Sequence, residues 1–299
     1  MSQLRGVGEL SRAYLLQTMR SKTALFWTLG FPQVWLFAFA LIFADGSSNA
    51  VTFMMPGLFT ITTMAGSFFG VSYLMVNERE NDILRRYRLT PVSALTVVVA
   101  NGARSMVTVT ASLVLQGFLA WLFFDITVAS SLVLLALVLW LGALAFVPLG
   151  LILGSVAKDM KSAPAIANLI FFPMMFLSGA AMPFYMLPGW VQQVARLLPP
   201  TYLTEALQGV IVRGDRLVDL AAPLVVLLIS GVVAAALNGL LFRWESSEPV
   251  SLKRLAIALV GLAAIYTVAA LMAPSLRMRQ RPQVLSQLLR DTPARFTSH

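Results

Sequence analysis

The sequence predicts an all-α membrane protein, a polytopic bundle of six core transmembrane helices followed by a seventh, C-terminal helix. Three observations lead there: long uncharged apolar runs recur along the chain, charged residues are scarce, and basic residues collect in alternate gaps between the runs. The 299 residues are 58% hydrophobic and 12% charged, with a mean hydropathy of +0.80. A soluble domain carries about 25% charged residues to cover its surface. Lipid must therefore cover much of this one.

A helix needs about 20 mostly apolar residues to cross the hydrocarbon core. Such runs lie at 24–43, 51–76, 105–124, 130–154, 164–183 and 220–242, and a seventh lies at 255–273 after the polar linker RWESSEPVSLKR. They are too long for strands and lack the alternation of a barrel. Helices satisfy their own backbone groups in lipid, so a helical bundle is expected.

With the N-terminus in the cytoplasm, thirteen basic residues fall on that side: Arg5, Arg12, Arg20, Lys22, Arg79, Arg85, Arg86, Arg88, Lys158, Lys161, Arg243, Lys253 and Arg254. Only three, Arg196, Arg213 and Arg216, fall outside among the first six helices, which orients the chain. A crossing seventh run leaves Arg277, Arg279, Arg281, Arg290 and Arg295 outside, against that rule, but residues 255–276 carry no charge and hydropathy favours crossing. The expected organisation is an amphipathic cytoplasmic segment (1–23), a six-helix membrane domain (24–245), and a linker, seventh helix and Arg-rich tail (246–299). The basic, amphipathic start does not read as a cleaved signal peptide. Pro32 and Pro148 do not make the matched pair of interrupted helices that inverted-repeat carriers show.

The formal net charge is +9. The basic residues flank apolar runs instead of forming one contiguous face, so nucleic acid is not an expected partner. The chain has no cysteine, which excludes disulfides, thiolate metal sites and cysteine nucleophiles, and its single histidine is His299. No phosphate-cradling G-x-x-x-x-G-K-[ST] run, H-E-x-x-H helix or G-x-S-x-G elbow occurs. No catalytic, cofactor-binding or metal-binding residue is expected, so any ATP that drives the protein is hydrolysed by another chain.

The loop NERENDILRRYRLTP (77–91) is the most informative stretch. Asp82 precedes Arg85 and Arg86 by three and four residues, a helix-supporting spacing, and acidic residues lie early and basic ones late, as the helix dipole favours. Ile83, Leu84 and Tyr87 form a small apolar face, and Pro91 disfavours helix at Thr90. A short amphipathic helix on the cytoplasmic surface is expected over 77–90. It could be a lipid anchor or a helix presented to a soluble partner; the acidic Glu78, Glu80 and Asp82 favour the partner.

On the outer side, Pro183, Pro188, Pro199 and Pro200 break residues 183–218 into short pieces, with helices expected at 189–198 and 201–212. Trp190, Val194 and Leu197 have the spacing of one buried face. Pieces too short to cross are interfacial or re-entrant, and re-entrant backbone must be buried in protein or line water; a structural cap and a gate are both open. Arg104, near the cytoplasmic start of the third run, is expected to snorkel to the headgroups. Glu205 is expected at the outer interface. Asn168 in the fifth helix could bond across helices or meet substrate. Thr63 and Ser67, on a second helix rich in small and hydroxylated residues, could pack or line a pathway, and packing is the commoner reason.

Two segments carry a resemblance. ERENDILRRYRLTPVSALTVVVAN (78–101) resembles the loop after the second helix of ABC-2 type permeases, with its acidic-basic run, Leu-Arg-Arg and Thr-Pro step. FFPMMFLSGAAMPFYMLPGWVQQVARLLPPTYLTEALQGVIVRG (171–214) resembles the end of the family's fifth helix and the broken segment after it. The similarity covers about residues 10–245 and is nearest the drug and antibiotic exporter, daunorubicin-type branch; the seventh helix and tail depart from it. It implies a permease subunit in the cell membrane that moves a hydrophobic or amphiphilic, drug-like or lipid-like cargo outward. The implied partners are a separate ABC ATPase carrying ATP and Mg, a second identical or paralogous permease across the first and fifth helices, and membrane lipid. The ATPase-coupling helix would comprise Glu78, Arg79, Glu80, Asp82, Leu84, Arg85, Arg86 and Tyr87; the outer gate would include Pro183, Trp190, Pro199, Pro200 and Glu205. The rival is an ATP-independent carrier or an assembly scaffold. A proton-coupled carrier needs buried acids, and none of the six main runs contains one.

Overall fold

The computed structural model describes residues 3–43, 47–89, 93–241 and 252–272, and all regular structure among them is helical. An amphipathic helix α1 (Gln3–Arg20) leads through α2 (Lys22–Leu25) and a π-helical turn (Phe26–Gly30) into α3 (Phe31–Phe43). Next come α4 (Ser48–Ala65), a second π segment (Gly66–Val71) and α5 (Ser72–Glu80), which together make one continuous rod. A short α6 (Ile83–Arg88) precedes the long pair α7 (Ala94–Phe124) and α8 (Leu132–Val156). After α9 (Ser162–Leu177) come the short α10 (Gly189–Ala195) and α11 (Pro199–Gln208), a third π turn (Gly209–Arg213), then α12 (Ala221–Leu241) and α13 (Leu252–Met272). The Arg-rich tail and the linker after α12 lie outside the described residues.

Four of these stretches are long and apolar enough to cross a membrane: Ser48–Glu80, Leu95–Phe124, Leu132–Val156 and Ala221–Asn238. The first and fifth expected runs are shorter, as Thr28–Ile42 and Ser162–Leu177. The fifth stops early because Gly179 turns the chain with φ 86°, in the left-handed region that glycine alone enters freely. The third starts earlier than hydropathy suggests, since Ser93 caps α7 by accepting the Thr96 N–H at 3.1 Å. Ser131 caps α8 in the same way, accepting from Val133 at 3.2 Å.

The centre of the bundle is α8, packed between the α4–α5 rod, α7, α11 and α12. Its small residues set those distances. A Cβ on Gly150 would stand 2.1 Å from the Ser67 carbonyl oxygen of the rod, and one on Gly231 of α12 would stand 3.0 Å from the Leu144 carbonyl oxygen. Backbones this close are the usual solution where lipid removes the hydrophobic drive between helices. Around them Phe59, Phe68, Phe146, Leu203 and Leu227 fill a continuous core. α13 runs antiparallel along α12, with Gly261 beside Leu237 and Leu262 in one cluster with Ala234, Leu237 and Ile152.

The two ends of the bundle differ. One gathers α1, the C-terminal end of α5, α6, residues 157–161 and the start of α13, and is rich in arginine and lysine. The other gathers residues 125–131 and the proline-rich stretch 178–220. Trp121 and Trp190 are exposed at this second end, where aromatic rings suit a membrane interface.

Replacing Gly150 with alanine forces the rod and α8 apart, an overpacking cost of about 1–3 kcal/mol. A lower thermal midpoint in detergent is expected for Gly150→Ala. Gly102→Ala, whose Cβ would meet nothing nearer than 3.8 Å, should stay at the parent value; equal midpoints would remove the close-packing argument.

Candidate functional site

The expected surface helix over 77–90 is not one helix. The rod continues to Glu80, Asn81 and Asp82 form a turn, and α6 begins at Ile83. Asp82 adopts φ 55°, a conformation that Asp and Asn tolerate better than other non-glycine residues, while the Asn81 amide donates to the Asn77 carbonyl at 2.8 Å. This turn divides the eight residues expected to act together. Glu78 and Arg79 are buried in the rod; Glu80, Asp82, Arg85 and Arg86 are exposed; Leu84 is buried against Val71, Met75 and Val97, pinning α6 to the bundle. The Tyr87 side chain lies outside the described residues.

Arg79 is 1% exposed and joins the rod to α8. Its guanidinium donates to the Gly154 carbonyl at 3.0 Å and to the Ala157 carbonyl. A cation at a helix C-terminus meets the negative end of the helix dipole and satisfies carbonyls that have no partner in the helix. One residue on, the Glu80 carboxylate accepts from the Met160 N–H at 3.1 Å. The first and second basic loops are therefore tied together. Asp159 in the second loop accepts the Ser162 N–H at 2.7 Å, and that bond, with the Ser162 hydroxyl, holds its carboxyl below the usual range. It stays ionised at neutral pH and fixes the start of α9.

Glu78 accepts from the Tyr14 hydroxyl of α1 at 3.0 Å. Arg104, expected at the headgroups, is instead 6% exposed. It donates to Thr18 of α1 at 3.1 Å, to the Ser105 hydroxyl at 3.1 Å and to the Gly70 carbonyl of the π segment at 3.4 Å. Its charge also acts on Glu78. Snorkelling loses because α1 supplies polar partners at that depth, so the charge need not reach water. Tyr14 and Thr18 are not among the expected site residues; they lie four residues apart on one face of the amphipathic α1, and that spacing of two polar side chains was the available signal.

At the other end, α10 and α11 fall where short helices were expected, but with a different face inside. Val191 and Ala195 are buried, whereas Trp190, Val194 and Leu197 are exposed; next to lipid the apolar face need not turn inward. Pro183 precedes a 3-10 turn (Phe184–Met186), and Pro199 and Pro200 open α11. Every residue from Pro199 to Leu207 is buried, so α11 enters the bundle between α4, α8 and α12. The Thr204 hydroxyl donates to that of Thr60 in the rod at 3.0 Å. Glu205 is buried within the protein. It pairs with Arg213 at 2.8 Å, and Arg213 also reaches Asp215 at 2.9 Å. Backbone bonds from Ala129 to Ile211 (3.1 Å) and from Ser130 to Val210 (3.0 Å) join this turn to the loop between α7 and α8.

Between the two ends, the Thr63 hydroxyl donates to the Phe59 carbonyl in its own helix and Ser67 packs against Gly150; both sit where helices press together. Asn168 is exposed on α9 beside exposed Leu169, Phe172 and Phe176. Among the described residues no three His, Asp or Glu side chains converge as a metal site. The burial of Glu78 and Glu205 changes the argument about buried acids, since each has a fixed partner inside the chain.

Losing the Arg79 tie should free the second basic loop. Charge-assisted bonds of this kind contribute about 1.5–3 kcal/mol, so Arg79→Met is expected to speed tryptic cleavage at Lys158 and Lys161 by about tenfold or more. Arg85→Met should not, and equal rates for both variants would remove the tie.

The family model described as ABC-2 type transporter matches residues 6–212. The transport permease ycf38 of Porphyra purpurea is 24% identical over 214 residues, 69% of this chain and 73% of that protein. The inner membrane transport permease YhhJ of Escherichia coli (strain K12) is 25% identical over 146 residues, 47% of this chain and 38% of its own length. ABC transporter G family member 20 of Dictyostelium discoideum is 20% identical over 173 residues, 58% of this chain but 24% of that protein. The family match takes in both ends of the rod and stops before α12 and α13. The chain belongs to the ABC-2 type transporter family.

Proposed function

We propose that the chain is the membrane-spanning subunit of an exporter powered by a separate ABC ATPase, which binds the ATP and Mg. The observation that carries this reading is the α4–α5 rod. It bonds to the buried α11 segment through Thr60 and to both basic loops and α1 through Glu78, Arg79 and Glu80. One stiff element thus joins a surface suited to a soluble engine to a segment suited to an outer gate. The ATPase docks on Glu80, Asp82, Arg85 and Arg86, with Lys158 and Lys161 beside them. Pro183, Trp190, Pro199, Pro200 and Glu205 belong to the outer gate.

The N-terminus lies in the cytoplasm of a multi-pass chain in the cell membrane. A second permease, identical or paralogous, packs on α3 and α9, whose Val34, Leu41, Leu169 and Phe172 are exposed. Asn168 then has a partner across that interface. The cargo is hydrophobic or amphiphilic, in keeping with an apolar interior dotted with hydroxyls. A proton-coupled carrier is disfavoured because Glu205 is held by Arg213 and Glu78 by Tyr14.

Purified alone, the chain should hydrolyse no ATP, and co-purification with its ATPase should confer turnover. Reversing Arg85 and Arg86 to Glu should leave the bundle intact, since both side chains are exposed, yet abolish capture of the ATPase in neutral detergent. A mismatched charge at a protein contact costs about 2–5 kcal/mol. Loss of anionic-lipid attraction, about 1 kcal/mol per basic residue, is absent there, so undiminished capture would remove these arginines from the docking surface. α13 is proposed as a seventh crossing with the tail outside. A cysteine at Ser298 should then react with an impermeant thiol reagent on intact cells, and labelling only after lysis would reverse that topology.

A further inference from the structure

α13 has no counterpart in the family match, which ends at residue 212, yet it is not a loose addition. Its described side chains are mostly exposed: Lys253, Arg254, Ile257, Val260, Thr267 and Val268 all face outward. Tyr266 is the exception at 5% exposed. A large ring fully buried on a helix whose other described side chains are exposed or half-buried is an anchor, and what it anchors to is informative. The antiparallel register with α12 carries Tyr266 past Leu237 to the level of Ser230. There its ring stacks on Tyr202 of α11, with centroids 6.5 Å apart and planes 25° from parallel.

Tyr202 occupies a joint. Its hydroxyl donates to the Arg196 carbonyl at 2.7 Å, and the neighbouring Thr201 hydroxyl donates to the Ala195 carbonyl at 2.6 Å. Those two bonds fix the bend between α10 and α11. A helix from outside the family match therefore reaches past α12 and touches the broken segment where it bends. Any outward swing of α11 must part the two rings and uncover both.

We infer that α13 is a brace on the outer gate, with Tyr266 as the positioning residue that holds the α10–α11 joint in its inward position through Tyr202. This rests on the gate reading above and adds a regulator to it. Offset-stacked aromatic pairs are worth enough to move a two-state equilibrium about 2- to 10-fold beyond their buried area. That is sufficient to set how often a gate opens and too little to lock it. The brace thus tunes the gate without adding any residue to the transport path.

The test uses the cysteine-free chain assembled with its ATPase in membranes, carrying a single cysteine at Ala206. This position in α11 is fully buried at rest, so its reaction with an impermeant maleimide added on the outer side reports opening. Tyr266→Leu keeps the position apolar and removes the stacked ring, and is expected to raise the labelling rate 2- to 10-fold. Tyr266→Phe keeps the stack and should label at the parent rate. Parent-rate labelling of the leucine variant overturns the brace; so does an equal rise in both variants, which would assign the effect to the hydroxyl. Retained ATPase capture by each variant shows that the bundle is intact. The gate itself is read separately, from the parent with and without ATP and Mg. A rate indifferent to nucleotide removes the gate, while the contrast between leucine and phenylalanine still decides the brace.

Discussion

Polar groups that leave water inside this bundle must find partners within the chain, because lipid offers none. That constraint accounts for most of the specific contacts. The hydroxyls of Thr60 and Thr63 turn back onto carbonyls four residues earlier. Gln116 accepts from Thr62 of the rod and donates to the Pro32 carbonyl of α3. Asn238 of α12 donates to the Pro148 carbonyl of α8. Arg79, Glu78 and Arg104 obey the same rule with ionisable groups. Isolated, each would cost several kcal/mol, and removing one partner would strand another. The basic end is thereby assembled as a unit: α1, the rod, α7 and the turn after α8 cannot separate without uncovering a charge.

The π segment Gly66–Val71 interrupts the rod midway between its two tied ends. A π turn carries an extra residue and weakens the regular ladder, and here two features hold it. A Cβ on Gly66 would stand 2.7 Å from Val109 of α7, so the turn fits closely against that helix, and the Gly70 carbonyl accepts from Arg104. The turn is bound on the side that faces the basic end. Movement of α1 relative to the rod would act there through Arg104, and at Glu78 through Tyr14, before it could reach Thr60.

The apolar bundle was legible because hydropathy and length act on each helix alone. Its polar contacts were legible only in part, because they depend on pairs far apart in sequence. Arg104 looked like a snorkelling residue since nothing nearby could neutralise it; its partners Thr18 and Glu78 lie 86 and 26 positions earlier. The charge pattern of 77–90 correctly marked a polar surface, yet charge alone did not separate buried Glu78 and Arg79 from exposed Arg85 and Arg86. That division comes from the turn at Asn81 and Asp82, residue types that favour turns over helix interiors, a signal masked by the helical spacing of the charges around them. Trp190 failed for another reason. In water a spacing of three and four marks the face turned to the core, whereas beside lipid an aromatic residue is as stable outside.

The two ends of the rod are held with different strengths, and the difference bears on how force would travel. At the basic end, charged bonds cross between elements: Arg79 to α8, Glu78 to α1, Arg104 to α1 and the π segment. At the proline-rich end the strongest bonds, from Arg213 to Glu205 and Asp215, lie inside the broken segment itself. What joins that segment to its surroundings is apolar burial together with neutral bonds, among them the Thr204–Thr60 hydroxyl pair, the backbone bonds from Ala129 and Ser130, the Ser130 hydroxyl on the Asp215 carbonyl, and the Tyr202–Tyr266 stack. Neutral hydrogen bonds contribute about 0.5–1.5 kcal/mol each, charged ones about 1.5–3. A displacement imposed on the basic end would therefore carry several elements with it before its own ties broke. The same displacement, delivered at Thr60, would meet a segment that is stiff within and held to its neighbours by packing and neutral bonds, and such a body moves as a whole.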